Sequence, residues 1–431
     1  MAATYRTRRS PTKIRRSRNA AGWFREGRER GYEAGYRNGY AAGLEEGRAG
    51  FHTPLEGTSI IIPTFNQLDY LRECVESIRR HTSVSYEIIV IDNGSTDGTD
   101  DYLRKMSGVV RFKRSDRNIG FAGGVNQGLM MARGTTLLFL NNDTIVTENW
   151  LPNLLTCLQS DARFGLVGPV TNYISGDQLI ETSYGSVEEM HEFAKAYNRS
   201  DAGRWTPTDR LTGLCVLMTR DMFRRLGYLD EGFEIGNCED DDYGLRARLL
   251  GAELVIAKDT FIHHAGSKTT KSIADFAKIY EQNLQFYCNK WGDTAALADE
   301  ISRLRNGLAL RANDLYPSHV TVRGVLDQTY WIENGCKYRL AATADAEAVR
   351  LSQTDLRNWP EGGTLTSEQY ESKLAAVTDP AVEGSVPVEG AIVRDRNGNV
   401  YQFRGGKLHR FATEWAVRAW RLDRRGTVML D

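Results

Sequence analysis

Between positions 58 and 264 the chain alternates short apolar runs with longer segments whose apolar residues recur at helical spacing. Residues 58–62 read as a buried strand, after which Leu68, Leu71, Val75 and Ile78 fall on one face of a helix. Strands follow at 87–91, 109–112 and 135–140, with helical segments around 102–106 and 123–132 between them. Further on, 243–250 has the pattern of a helix with Leu245, Leu249 and Leu250 on its buried side, and 254–262 is again a strand. Repeated βα units predict an α/β fold: a mainly parallel sheet with helices on both faces.

The flanks have a different texture. Residues 1–20 carry Arg6, Arg8, Arg9, Lys13, Arg15, Arg16 and Arg18 with few apolar side chains, too few to order a tail, which serves either for solubility or for docking an anion. In 21–50 a glycine recurs at every fourth position from Gly27 to Gly47, with Tyr32, Tyr36 and Tyr40 following three of them. On a helix this makes a groove beside a tyrosine ridge, shaped for a second helix. Each glycine costs about 1 kcal/mol in a helix interior, so packing on the central domain, or on a second copy in a homo-oligomer, is expected to stabilise it, the alternative being a flexible linker. Beyond 315 come short strands separated by turn residues, with a weak repeat: Gly324-Val325-Leu326 and the 330–340 hairpin parallel Gly390-Ala391-Ile392 and the 401–411 hairpin. The expected organisation is a tail at 1–20, a helix at 21–50, an α/β domain at 51–314 and a duplicated β-rich module at 315–431.

Length alone permits two or three folded units in 431 residues, and 41% hydrophobic content supplies their cores. A formal net charge of -1 argues against nucleic acid as the main partner. Six cysteines stand singly without a CxxC pair, which indicates neither a zinc knuckle nor a disulfide framework and fits a reducing, cytoplasmic setting. No apolar run approaches the roughly 20 residues of a membrane span, and the N-terminus lacks the apolar core of a signal peptide.

Chemistry is concentrated where the strands should end. Ile62-Pro63-Thr64, Asp92-Asn93-Gly94-Ser95, Asn141-Asn142-Asp143, the run Glu239-Asp240-Asp241-Asp242 and His263-His264 arrive in turn. Strand ends of an open α/β sheet line its ligand crevice, so these groups suggest a site for a nucleotide, a metal and a base. Asp92 and Asn93 offer a carboxylate for a ribose hydroxyl and an amide for a pyrimidine edge, and equally the residues of a plain turn. Gly120, Gly123 and Gly124 precede a helix start, where free N–H groups favour an anion, although they lack the GxGxxG order of a dinucleotide site. Adjacent carboxylates raise one another's pKa, which suits a group that must take a proton. Adjacent side chains on a strand point to opposite faces, so only one of His263 and His264 can reach a given site.

Taken in order, SIIIPTFN at 59–66, IDNGSTD at 91–97, NIGFAGGVN at 118–126, NND at 141–143, Glu239-Asp240 and His263-His264 make residues 58–267 resemble a family 2 glycosyltransferase of the GT-A fold, the inverting class that uses nucleotide-activated sugars. A narrower similarity is to bacterial enzymes that build rhamnose-containing or other surface glycans. The resemblance implies that Pro63, Thr64, Asp92, Asn93, Arg117, Asn126, Asn142 and Asp143 hold a UDP- or dTDP-linked donor. It also implies that Asp143 with His263 or His264 binds Mn2+ or Mg2+, and that Asp240 is the general base with Glu239 beside it. Because NND holds one carboxylate where the family has DXD, the protein alone should hold the metal weakly and the nucleotide should complete the site. The acceptor is expected to be a glycan or a lipid- or protein-linked hydroxyl entering by the polar segment 170–211, where Tyr173 and Trp205 are candidate sugar platforms.

Two other readings compete. A nucleotidyltransferase would need a basic, glycine-rich loop directly after the first strand, and 63–67 has none. A glycan-binding protein with a retired site would fit the thinned NND motif, but Asp143, Asp240 and the histidines are intact. In the C-terminal module Tyr330, Trp331, Tyr401, Trp415 and Trp420 are either a glycan platform or core.

Overall fold

The computed structural model describes residues 54–266, 276–291, 316–324, 328–342, 348–351, 356–357, 359–379, 386–411, 417–418 and 420–430. The expected tail, the glycine-repeat helix and Trp415 lie outside the described residues.

The first strand shows how the sequence builds the central sheet. In β1 (Leu55–Thr64) Ile60 and Ile62 face one core and Ile61 the other, as the two-residue period of a strand requires. On the Ile60 side pack helices α1 (Leu68–His81) and α4 (Trp150–Ser160), through Leu71, Val75, Ile78, Trp150 and Leu154. On the Ile61 side lies α3 (Gly120–Met131), through Ala122, Val125 and Leu129. Further helices are α2 (Thr99–Lys105), α5 (Val187–Tyr197), α6 (Arg220–Leu226), α7 (Glu239–Leu249) and α8 (Phe276–Trp291).

Strands β2 (Tyr86–Asp92), β3 (Val110–Arg114) and β4 (Gly134–Leu140) join β1 in the parallel order β3-β2-β1-β4. Beyond β4 the sheet becomes mixed. Strand β8 (Cys215–Thr219) runs antiparallel to β4 and to β6 (Phe164–Thr171), and β6 pairs in parallel with the long β9 (Glu253–His264). The short strands β5 (Thr144–Ile145) and β7 (Trp205–Thr208) pair antiparallel with β9. The expected α/β sheet, covered on both faces, is present; its second half carries the antiparallel strands.

The glycines at 120–124 are not a loop before a helix, as the sequence suggested, but the first turns of α3. Their role is close approach: a Cβ on Gly124 would stand 2.9 Å from Pro63 Cβ, and one on Gly128 2.2 Å from Ile61 Cγ2. The helix therefore lies almost backbone to strand across the end of β1, bringing its first residues to the ends of β1 and β2.

The C-terminal residues form two smaller sheets of matching topology. In one, β10 (Val320–Arg323) pairs antiparallel with β11 (Thr329–Glu333), which turns into β12 (Cys336–Leu340), and β13 (Val349–Arg350) lies parallel to β10. In the other, β15 (Ile392–Arg394), β16 (Val400–Arg404), β17 (Lys407–Arg410) and β18 (Thr427–Met429) repeat that pattern. Strand β14 (Glu361–Leu365) and helix α9 (Ser367–Thr378) are additions to the first sheet. Both hairpins turn on two residues with positive φ, Asn334-Gly335 (52° and 72°) and Gly405-Gly406 (55° and 73°), the conformation that matches strand twist.

The repeat differs from the sequence expectation in one respect. Gly324 follows β10 whereas Gly390 precedes β15, so the structural counterpart of Gly390 is His319. Both take a positive φ, and their N–H groups donate to the matching carbonyls of Phe403 and Ile332. A Cβ on Gly390 would stand 2.4 Å from the His319 ring, so the two copies meet at this point. Trp331 is fully buried with its ring edge-on to Tyr370 and His319, which makes it core rather than a platform.

Among the described residues no helix is long and apolar enough to cross a membrane. One prediction follows from the contact between α3 and β1. Gly128→Ala is expected to cost about 1–3 kcal/mol through overpacking against Ile61, read as a lower denaturation midpoint with an unchanged slope in urea.

Candidate active site

A cleft opens at the strand ends, with Pro63 and Thr64 from β1, Asn93 from β2, the Asn141–Asp143 segment after β4, the start of α7 and His264 from β9 along its walls. Of the residues singled out in the sequence, Pro63, Thr64, Asn93, Asn142, Asp143, Glu239, Asp240 and His264 line it together. Asp92, Arg117, Asn126 and His263 do not.

The floor is a small polar network. Asn142 Nδ2 donates to Thr64 Oγ1 at 2.9 Å, and Asn93 Nδ2 donates to the Gly120 carbonyl at 3.0 Å. Asn93 Oδ1 and Asn141 Oδ1 are buried and have no hydrogen-bond partner among the described residues. An acceptor buried without a donor costs about 1–3 kcal/mol, so each is poised for a donor group or cation brought by a ligand. Asn141 was not among the residues chosen from the sequence; its position in NND was the only signal.

Strand alternation separates the two histidines. His263 turns to the face of β9 that meets Tyr184, with Nδ1 2.7 Å from the Tyr184 hydroxyl, and burial and its histidine neighbours hold its pKa below the ordinary value. His264 turns into the cleft. Its Nδ1 lies 2.5 Å from the Tyr173 carbonyl, and its Nε2 stands 3.3 Å from Asp143 Oδ1. A carbonyl can only accept, so Nδ1 carries the proton and Nε2 presents a lone pair or a second proton to Asp143. Two electron-rich atoms at that separation fit a shared proton or a divalent cation. With Asn141 Oδ1 nearby in sequence and unpartnered, the donor set of Asp143 and His264 fits a metal that draws its remaining ligands from a substrate. Among the described residues no cluster supplies three His, Cys, Asp or Glu ligands by itself.

The acidic run is divided by the start of α7 into separate tasks. Asp242 is fully buried; Lys290 Nζ at 2.6 Å, Arg246 Nε at 2.9 Å and Trp291 Nε1 at 2.8 Å surround it. Burial alone would raise its pKa, but Lys290 and Arg246 hold it below the usual carboxylate range. Asp241 pairs with Arg210 at 2.6 Å. Asp240 is partly exposed and accepts from the Gly213 N–H at 2.7 Å; burial and then the Asp241 charge push its pKa up to about 6. Glu239 is buried with Oε2 unpartnered among the described residues, and burial followed by Asp240 raises its pKa well above the ordinary value. The cleft thus holds a Glu239 biased toward its protonated form beside an Asp240 whose pKa is pushed up to about 6.

The segment entering α7 is strained. Ile235, Asn237 and Cys238 have φ of 62°, 83° and 70°, and for a β-branched isoleucine that is a backbone outlier. It is held from two sides: Phe121 N–H donates to the Ile235 carbonyl at 2.6 Å, and buried Asn283 of α8 grips the segment. Asn283 Oδ1 accepts from Glu234 N–H at 2.9 Å while its Nδ2 donates to the Glu234 and Gly236 carbonyls at 2.9 Å and to that of Asn237 at 3.3 Å. Nothing local in the sequence marks Asn283, one of several polar residues along α8.

Two expected donor residues have other partners, and a third is turned to the surface. Asn126 is fully buried; its amide donates to the Leu229 carbonyl and Glu231 and accepts from Leu229 N–H, all at 2.9 Å, so it fastens the segment after α6. Asp92 lies buried beneath the cleft, where Oδ1 caps the Ser95 N–H at 2.8 Å and Oδ2 is 3.7 Å from Arg114. The Arg117 side chain is exposed, and its backbone packs 3.2 Å from the Cβ position of Gly94. Trp205 donates to Asp259 at 2.9 Å and braces β7 rather than the cleft. Asn126→Ala is expected to lose about 2–4 kcal/mol of stability while the folded protein keeps its nucleotide affinity; native stability with weakened binding in titration calorimetry would restore the direct contact.

Residues 59–227 match the family model described as Glycosyl transferase family 2, a span that stops short of α7 and His264. Glycosyltransferase GlyG of Streptococcus pneumoniae is 27% identical over 255 residues, 57% of this chain and 83% of the relative. Poly(ribitol-phosphate) beta-N-acetylglucosaminyltransferase TarP of Staphylococcus aureus is 35% identical over 105 residues, 23% of this chain and 32% of the relative, so this chain spans about a third of that protein. Among solved structures, the mannosyltransferase PcManGT from Pyrobaculum calidifontis, in complex with GDP-Man and Mn2+, is 17% identical with a TM-score of 0.39, covering 62% of this chain and 84% of that one. Residues 59–227 therefore carry a family 2 glycosyltransferase domain.

Proposed function

We propose that this protein transfers a sugar from a UDP- or dTDP-linked donor to a hydroxyl of a growing surface glycan, by a metal-dependent single displacement that inverts the anomeric centre. The observation that carries this reading is the meeting, in one cleft, of the Asp143–His264 pair, the unpartnered Asn93 amide oxygen and the Glu239–Asp240 pair. Asn93 and Thr64 hold the base and ribose end of the donor, and Asn142 fixes Thr64 from below. Asp143 and His264 hold Mn2+ or Mg2+, which supplies positive charge against the departing diphosphate.

Asp240 takes the proton of the acceptor hydroxyl. That oxygen then forms its bond to the anomeric carbon as the bond to the diphosphate oxygen breaks, and the proton remains on Asp240 until solvent removes it. Gly213 N–H fixes Oδ2 and Asp241 N–H meets Oδ1, so the carboxylate is held in place and a remaining lone pair takes the acceptor proton. Glu239 beside it is pushed toward its neutral form by burial and by Asp240, which lessens the charge repulsion at the site. The similarity to TarP, whose name gives poly(ribitol-phosphate) as its acceptor, supports a hydroxyl-bearing polymer as the acceptor class, and the polar 172–185 segment beside His264 supports its side of entry.

Nucleotide release from a panel of UDP-, dTDP- and GDP-sugars, with Mn2+, Mg2+ or a chelator, tests the reading. Slow chelator-sensitive release from one donor, abolished in Asp143→Ala and in His264→Ala, is expected; His263→Ala should keep most of it. Asp240→Asn should lose about 10²–10⁴ in turnover while donor still binds, whereas Glu239→Gln, which replaces a neutral acid by a neutral amide, should lose far less. The base must be ionised to act, so kcat/KM should be level above about pH 6 and fall tenfold per unit below it. Donor binding and release both absent across the panel would reject the enzymatic reading.

A further inference from the structure

Arg210 lies in the segment between β7 and β8 and is the one arginine or lysine lining the cleft among the described residues. Its Nε meets Asp241 Oδ1 at 2.6 Å, while Nη1 reaches Ser175 Oγ at 3.2 Å and the Ser175 carbonyl at 3.5 Å. Asp241 in turn follows Asp240 in the chain and gives its own N–H to Asp240 Oδ1 at 3.0 Å. One guanidinium thus joins the polar 172–178 segment to the residue next to the base.

We propose that Arg210 is a positioning residue for sugar transfer: paired with Asp241 and steadied by Ser175, it sets the ionisation of Asp240. The proposal rests on the reading of Asp240 as the base. Two opposed charges act on that carboxyl. Asp241 is a like charge at the adjacent position and favours the protonated acid, whereas Arg210 favours the carboxylate and also offsets Asp241. Other groups facing Asp240 are the Gly213 N–H, Glu239 and Cys238, and from α8 Tyr287 approaches Asp241 and Tyr280 approaches Arg210. Burial raises Glu239 well above its ordinary value and the Cys238 thiol to about 12, which favours the uncharged form of both. The balance at Asp240 is left to Arg210 and Asp241.

Arg210 and Asp241 side chains are 45% and 25% exposed, so substitution there should spare the fold, and solvent limits the effect to about 0.3–1 pH unit. The test is a titration of the Asp240 carboxyl by carbon NMR in the full chain labelled at aspartate, with the resonance assigned by its loss in Asp240→Asn. Arg210→Gln should raise the midpoint and Asp241→Asn should lower it, the double variant should return near the native value, and Arg210→Lys should keep most of it. Both shifts should shrink between 0.05 and 0.5 M salt. A midpoint unmoved in both single variants, or moved in the same direction by both, overturns the proposal. The acid limb of kcat/KM should follow the same shifts if Asp240 is the base. Turnover that persists in Asp240→Asn while the titration still shifts would instead overturn the base assignment and leave the electrostatic pairing standing.

Discussion

The arrangement of the cleft depends on a carboxylate that takes no part in it. Asp242 is buried among Lys290, Arg246 and Trp291, and Lys290 also holds Asp230 at 2.6 Å. Removing one partner of such a buried cluster costs about 3–5 kcal/mol because it strands the other charge. This fixes both the rotation and the depth of α7. With Asp242 committed inward, the helical turn sets Glu239 and Asp240 toward the cleft and Asp241 toward Arg210, so four adjacent acids acquire distinct surroundings through position alone.

The same helix pair explains how a strained approach can be kept. Backbone with positive φ at Ile235, Asn237 and Cys238 would relax if it were free. Asn283 meets it with a full set of amide hydrogen bonds from α8, and the C-terminal end of that helix supplies Lys290 and Trp291. Helix α8 therefore braces both the segment before the acidic residues and the turn that carries them, although it lies outside the span that matches the family.

Much of the central fold was legible because strands and helices impose periods of two and 3.6 on apolar residues, as Ile60, Ile61 and Ile62 illustrate. The order of polar clusters at strand ends was legible for the same topological reason, and eight of the expected site residues share one cleft. What a sequence does not display is where a polar side chain turns. Asn126 lies among cleft residues in the chain, yet its position on α3 points it at Leu229. Asp92 ends a strand as expected but is consumed by the turn it begins. Arg210 and Asn283 act across long separations in sequence, where no local pattern could mark them. The glycines of α3 were visible as a cluster, but their use in bringing a helix against β1 required the packing itself.

The C-terminal module carries a record of its own history. Its two halves share strand order and turn chemistry, yet where they touch, one copy has His319 and the other Gly390. Equivalent points that press against each other cannot both carry a bulky side chain, and here only one does. With an imidazole on one side and a bare backbone on the other, the two halves are no longer interchangeable at the point where they touch.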